Sequence, residues 1–384
     1  MNSKNKFKLP FVYQLHNKPS NHNDIPNSLE FEVENDNSLG LLKQKYSSIT
    51  DEYLRKAYKL GSVIGGNTLE DEIGDQYTNG VLEYMESILL EDNYENKEVL
   101  EIGCGVGYLL NKIKQKKGSV LGVEPGIQGQ IASERYGIKV IEGFYPEVDI
   151  DDKFDIIVSY CVLEHVPDPY SFLTNLKPLL KPNGKVFIIV PNEKPYIDSG
   201  DISTLFHEHW SYFTNNSLKN LYKKAGANSI NIECSKYGGL LYSNFSFESD
   251  LEKKTNSFSN EIDNSYYNLF LNSTEQNAKK ISEYLNGKTD VGVYVPLRIV
   301  NYLINHNIDI KNIRFFDDDK YSYGNFFPGI NIKIENFNDF IQSPPSRVVI
   351  MSNFFEDAIK EKISTAIGQD IEIVLWSEIF KSTN

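Results

Sequence analysis

The sequence predicts an α/β protein built on a parallel sheet that ends in a β-hairpin, followed by a smaller C-terminal α/β domain. From about residue 98 short apolar runs, EVLEIG, SVLGVE, KVIEG, FDIIVSY and GKVFIIVP, alternate with helix-compatible stretches such as YLLNKIKQKK and PYSFLTNLKPLL. That alternation is the pattern of parallel strands joined by helices on both faces. Two further strand-like runs, SINIECS and LLYSNFSFE, are joined through Lys236-Tyr237-Gly238-Gly239, which predicts the terminal hairpin. A second alternation, DVGVYV, RIVNYLINHN, IRFFDDD, NFNDFIQS, SRVVIMS, FFEDAIKEKIST and IEIVLWS, fills the C-terminal part.

Taken in order, residues 1–76 read as an irregular polar leader, broken by prolines at 10, 19 and 26, that gives way to a helix at TDEYLRKAYKL, 50–60. Residues 77–249 form the parallel-sheet domain, opened by a helix at NGVLEYMESILL, 79–90. Residues 250–384 form the C-terminal domain, whose first part, to about 287, is polar and helix-compatible. A chain of 384 residues suits two or three cores. With 40% apolar and 24% charged residues it has the composition of a folded globular protein.

A net charge of −14 argues against a nucleic-acid partner, whose binders carry basic stripes; the densest basic run, KIKQKK at 112–117, reads as a solvated helix face. The start, MNSKNKFKLP, lacks an apolar secretory core and no run of 18 apolar residues occurs, so no membrane partner and a cytoplasmic location are expected. Cys104, Cys161 and Cys234 make no CxxC pair, which suggests neither a disulfide framework nor a thiolate zinc site.

The most informative run is VLEIGCGVGYLL at 99–110. A strand carrying Glu101, then Gly103, Gly105 and Gly107, then a helix describes a tight turn whose backbone comes close to a ligand at the carboxyl end of a strand. Dinucleotide enzymes share such glycines. The next strand ends in Glu124, 23 residues after Glu101, a spacing suited to an acid that receives ribose hydroxyls. The acid-x-Gly-x-Gly-x-Gly order resembles class I methyltransferases that bind S-adenosylmethionine. FDIIVSYCVLEHVPDP (154–169) and LKPLLKPNGKVFIIVPN (176–192) resemble that superfamily's fourth and fifth strands. The resemblance implies a Rossmann-like central domain with S-adenosylmethionine as cofactor. It places Glu101 near the methionine end, Gly103 to Gly107 along the cofactor, Glu124 on the ribose, Phe144 against the adenine, and Cys161 with the following LEHV on the methionine side.

The segment LFHEHWSYFT, 205–214, leaves three readings open: a metal site, a general base with its partners, or an aromatic packing strip. It resembles the YHEHLSYF motif of nucleotide-sugar C-methyltransferases. QKYSSIT (44–50) looks like that family's Tyr-Ser-Ser element, and FFPGINIKI (326–334) with VVIMSNFFEDAIKEKI (348–363) resembles its C-terminal domain. The resemblance implies a nucleotide-linked keto sugar as the small-molecule substrate, deprotonated beside its keto group by His209. Glu208 would support the base, and His207, next in line for the role, would face the other way on an extended segment. No third ligand at a typical spacing joins the histidines, so no metal is expected.

Three departures shape the expectation. Phe206 stands where the family motif begins with Tyr, so the hydroxyl suited to the enolate oxygen is missing and Tyr46 or Tyr212 is the candidate substitute. The cysteines of the family's N-terminal zinc module are absent from residues 1–45. The C-terminal domain's first strand, DVGVYVPLRIV, lacks a phosphate-type glycine cluster, so this domain reads as a wall of the substrate cleft, with Arg298 and Asn353 as contacts; Asp317-Asp318-Asp319 reads as a strand-end turn. An O- or N-methyltransferase and a non-catalytic cofactor-binding scaffold are the alternatives.

Overall fold

The structure, a computed structural model, describes residues 4–11, 26–60, 72–90, 94–237, 239–247, 265–286, 290–306, 308–368 and 371–380. The chain divides into two interleaved compact units: Asn35–Asn192 with Glu208–Asp263, and Met1–Glu34 with Glu193–His207 and Asn264–Asn384. The division is not into three consecutive segments, because residues 1–34 and 193–207 group with the C-terminal part. The turn residue Gly238, much of the expected polar leader and residues 248–264 lie outside the described residues.

The N-terminal segment is not irregular throughout. Strands β1 (Lys6–Pro10) and β2 (Ser28–Asp36) pair antiparallel, with Phe7 opposite Phe31 and Leu9 opposite Leu29. Phe7, Leu9, Phe31 and Val33 are buried while the lysines and glutamates between them face outward. The two-residue alternation in FKL and LEFEVE is the signal the prolines obscured, and Pro10 sits at a strand end, where no ladder donor is needed.

The first unit starts with β3 (Leu41–Gln44) and helices α1 (Ser48–Leu60) and α2 (Glu72–Leu89). In α1 the buried Thr50, Leu54 and Ala57 recur at helical spacing. Then come β4 (Glu98–Ile102), α3 (Tyr108–Gln115), β5 (Ser119–Glu124), α4 (Gln128–Tyr136), β6 (Lys139–Glu142), β7 (Phe154–Tyr160), α5 (Pro169–Thr174) and β8 (Leu180–Pro191). After α6 (Lys194–Ser199), which belongs to the other unit, follow β9 (Ser211–Tyr212), α7 (Asn215–Lys224), β10 (Ala227–Cys234) and β11 (Leu240–Phe247).

The main sheet runs β10-β11-β8-β7-β4-β5-β6. The five strands from β8 to β6 are parallel, and β11 lies antiparallel between β8 and β10, which is the expected hairpin. The central strands read as continuous apolar runs because both faces are covered. Leu100, Ile102, Ile157, Val186 and Ile188 pack on one side with Phe172, Leu218 and Tyr222, whereas Val99, Ile156, Val158 and Phe187 pack on the other with Met85, Leu109 and Ile113. Each such side chain contributes roughly 1.5–3 kcal/mol by burial.

The second unit carries a wholly parallel sheet, β14-β13-β12-β15-β16, from β12 (Val291–Tyr294), β13 (Ile313–Phe316), β14 (Ile334–Glu335), β15 (Arg347–Ile350) and β16 (Glu372–Leu375). The helix α8 (Ser265–Leu285) and the short α9 (Val300–Asn305) hold residues 193–207 within it. Asn277 Nδ2 donates to the carbonyls of Ser199 and Gly200, and Asn301 Nδ2 donates to those of Ile202 and Leu205. The fully buried Asp201 accepts from Ser203 N, Ser203 Oγ, Tyr302 Oη and Trp376 Nε1 at 2.7–2.8 Å. A carboxylate so satisfied anchors the segment, because cutting any one partner leaves buried polar groups unpaired. These bonds are why the loop after β8 belongs to the C-terminal unit.

Candidate functional site

Strand order reverses between β4 and β7: chain order runs outward through β5 and β6 on one side and through β8 on the other. In open α/β sheets the crevice at the carboxyl ends of such a strand pair receives the ligand. β4 delivers Glu101 and the glycine turn there, and β7 delivers Cys161 and Leu163–His165, one 3₁₀ turn.

Gly103, Gly105 and Gly107 all adopt positive φ, at 73°, 50° and 75°. A Cβ on Gly103 would lie 2.3 Å from Val162 Cγ2, and one on Gly107 2.8 Å from Ala132 Cβ. Side chains there would distort the turn by both dihedral and clash. Glu124 at the end of β5 ties this turn down, Oε2 accepting from Gly105 N at 3.0 Å and Oε1 from Gly126 N at 2.9 Å. Burial pushes its pKa up and the two amides pull it back. Each oxygen keeps a lone pair, enough for a pair of ribose hydroxyls.

Glu101 is buried and its Oε2 has no hydrogen-bond partner. Burial first, and then the neighbouring Glu124, hold its carboxyl well above the usual carboxylate range. An orphaned buried oxygen of this kind suits a cationic ligand group, such as the ammonium of an amino acid, which would restore the ionised form.

Helix α1 supplies residues absent from the sequence reading. Tyr58 packs its ring edge-on to Phe144 at 6.4 Å and to His165 at 6.0 Å, and its hydroxyl lies 3.1 Å from His165 Nδ1. The Arg55 guanidinium covers one face of Phe144 at 4.6 Å and is held by Glu147 and Asp51. Tyr58 stands four residues after Leu54, on the helix's inward face, and that periodicity is the signal that points to it.

On the β7 side, His165 Nδ1 is 2.9 Å from the carbonyl oxygen of Glu208, and Trp210 N donates to the Glu164 carbonyl at 2.7 Å. These bonds bring the HEH segment to the LEH turn. The rings of His165 and His209 meet edge to face at 4.9 Å, and ligand atoms of Glu164, His165 and His209 lie within 4.8 Å of one another. This composition matches a divalent-cation site as well as a proton-transfer group. Glu164 and His165 are the partners of His209 that no sequence spacing revealed. Burial lowers the His165 pKa to about 4, so its imidazole is neutral near pH 7. Cys161, in a left-handed backbone conformation, keeps its thiol protonated because burial, and then Glu164, push its pKa well up.

The other expected residues fall elsewhere. Residues 207–208 form a turn rather than the extended segment expected, and only Ser211–Tyr212 is a strand, paired with Leu42–Lys43. His207 belongs to the second unit, where it is buried between Phe11 at 5.3 Å and Phe31 at 5.4 Å and its pKa falls to about 4. Tyr212 is fully buried, its ring 6.0 Å from His209, while Tyr46 is 59% exposed against Trp210. In the second unit Arg298 lies over the Tyr196 and Phe206 rings at 4.9 and 5.8 Å, and the half-buried Asn353 follows β15. Asp317 and Asp319 cap their own turn through Asp319 N and Tyr321 N.

A seven-stranded sheet with one antiparallel strand, a glycine turn after β4 and an acid closing β5 make a Rossmann-like α/β domain with a ligand crevice at the carboxyl end of β4. Residues 80–232 match the family described as Methyltransferase domain. The ubiquinone biosynthesis O-methyltransferase of Acinetobacter baumannii (strain AYE) is 29% identical over 110 residues, covering 26% of this chain and 46% of that protein. The C-methyltransferase NovU of Streptomyces niveus is 29% identical over 148 residues, covering 37% and 35%. The chain thus spans less than half the length of either curated relative. The solved structure of the N-methyltransferase NodS from Bradyrhizobium japonicum WM9 with S-adenosyl-l-homocysteine aligns at a TM-score of 0.39 and 15% identity, over 51% of this chain and 97% of that one. Among the described residues no helix is long and apolar enough to cross a membrane.

Proposed function

We propose that this chain transfers a methyl group from S-adenosylmethionine to a nucleotide-linked keto sugar, at the carbon beside the keto group. The observation that carries the reading is the Glu164, His165, His209 cluster at the carboxyl end of β7, beside the glycine turn. Glu101 would hold the cofactor's ammonium, Glu124 its ribose hydroxyls and Phe144 its adenine; the group would supply an electrophilic methyl on a sulfonium sulfur. His209 takes the proton of the acceptor carbon at a ring nitrogen, and the Glu164 carboxylate offsets the imidazolium charge that forms. Much of the rate gain comes from fixing two substrates together.

Transfer to oxygen or nitrogen is the second reading, favoured by Phe206, which removes the phenol that would hold an enolate oxygen. The test is incubation of the full chain with methyl-labelled cofactor and nucleotide sugars with and without a 4-keto group. Label fixed on carbon only in keto substrates supports the first reading; label on a heteroatom supports the second. Binding without transfer to any acceptor would point to a cofactor-binding scaffold.

A further inference from the structure

The phenol missing at position 206 has a counterpart on α1. Tyr58 Oη lies 3.1 Å from His165 Nδ1, and that same nitrogen lies 2.9 Å from the carbonyl oxygen of Glu208. A carbonyl only accepts, so the shorter contact puts the proton on Nδ1. Tyr58 Oη then accepts a share of that N–H, and its own hydrogen is left to donate elsewhere. Tyr46 turns to solvent beside Trp210, and Tyr212 is sealed in the interior; Tyr58 is half-buried and touches both Phe144 and His165.

We propose that Tyr58 is the phenolic donor of the methyl-acceptor site, its hydroxyl proton directed to the acceptor's carbonyl oxygen while its own oxygen fixes His165 with Nδ1 protonated and Nε2 open. This rests on the methyl-transfer reading above. Negative charge that builds on the acceptor oxygen during deprotonation is then met by a neutral donor at low dielectric, where such a bond is strongest. The ring's contact with Phe144 puts the adenine wall and the proton-transfer group under one side chain.

Tyr58→Phe keeps the ring and removes only the hydroxyl. The expected result is a fall in kcat of about 10²-fold or more, with the dissociation constant for S-adenosylhomocysteine within about twofold of the parent, since a donor used in the transition state leaves cofactor binding alone. Long-range ¹H–¹⁵N spectra of the imidazoles give a readout that needs no substrate: His165 is expected as the Nδ1–H tautomer, with its Nδ1 resonance displaced in Tyr58→Phe. Near-parental turnover, an Nε2–H tautomer in the parent, or identical His165 resonances in parent and variant overturns the proposal. A parent chain that fails to bind S-adenosylhomocysteine overturns the methyl-transfer reading instead, and the two failures are separate because the tautomer is measured without cofactor.

Discussion

The imidazoles of His165 and His209 meet edge to face with centroids 4.9 Å apart, although they stand in separate turns after β7 and before β9. Two bases so close cannot both hold a proton cheaply, so under the proposed function they act as one unit. His209→Asn is expected to lower kcat by roughly 10²–10⁴ with cofactor affinity nearly intact. In His165→Asn/His209→Asn the loss should be no larger than that of the worse single variant, because residues that act as a unit are not additive. Melting temperature and turnover from the same samples check this; activity that tracks the folded fraction would make both histidines structural.

His207 gives a pH signature of its own. Its folded pKa of about 4 lies below the unfolded reference of about 6.5, so between those values the unfolded chain binds more protons and stability falls as pH falls. Above about pH 6.5 the effect is absent. The loss attributable to this residue is on the order of 2–3 kcal/mol by pH 4, and His165 adds a fall of the same sign. Denaturant titrations from pH 7 to 4 should show a shallower decline for His207→Leu than for the parent; parallel curves would remove His207 as the acid-sensitive group.

Glu124→Ala removes the acceptor assigned to both ribose hydroxyls and frees the amides of Gly105 and Gly126. Cofactor binding should weaken by about 1–3 kcal/mol or more. Calorimetry with S-adenosylhomocysteine measures it, and unchanged affinity would move the ribose elsewhere.

Gly103→Ala meets two obstacles, a φ of 73° and a Cβ 2.3 Å from Val162 Cγ2. The variant should lose about 1–3 kcal/mol of stability and most of its cofactor affinity. Pairing it with Val162→Ala relieves the clash and leaves the dihedral, so the double variant should recover only part of the loss.

The proposed proton transfer at Glu164, His165 and His209 calls for no ion, and residues 1–45 contain no cysteine. Turnover should survive prolonged dialysis against a strong chelator, and elemental analysis should find no stoichiometric zinc. Activity lost to the chelator and restored by one divalent metal would make this cluster a metal centre.

The main sheet was legible because strands covered on both faces write themselves as apolar runs, and the glycine turn and Glu124 were legible together because one βαβ unit brings them side by side. The strands at 6–10 and 28–36 were hidden: prolines punctuate that region, and the alternation is carried by as few as two buried side chains per strand. The interleaving of the two units was invisible because it depends on Asn277, Asn301, Tyr302 and Trp376 gripping a loop distant in sequence, the last two through Asp201. His165 stood within the quoted LEHV, yet its meeting with His209 is set by backbone bonds across the fold, from Trp210 to Glu164 and from His165 to Glu208. No periodicity encodes such bonds.

The carboxylate of Glu124, clasping the amides of Gly105 and Gly126, has a thermodynamic meaning for recognition. The two loops that frame the crevice are already locked to each other, so their ordering entropy is spent during folding rather than at the encounter. Association should therefore leave the exchange rates of the Gly105 and Gly126 amides nearly unchanged, and the heat-capacity change should reflect surface desolvation with little contribution from coupled loop folding.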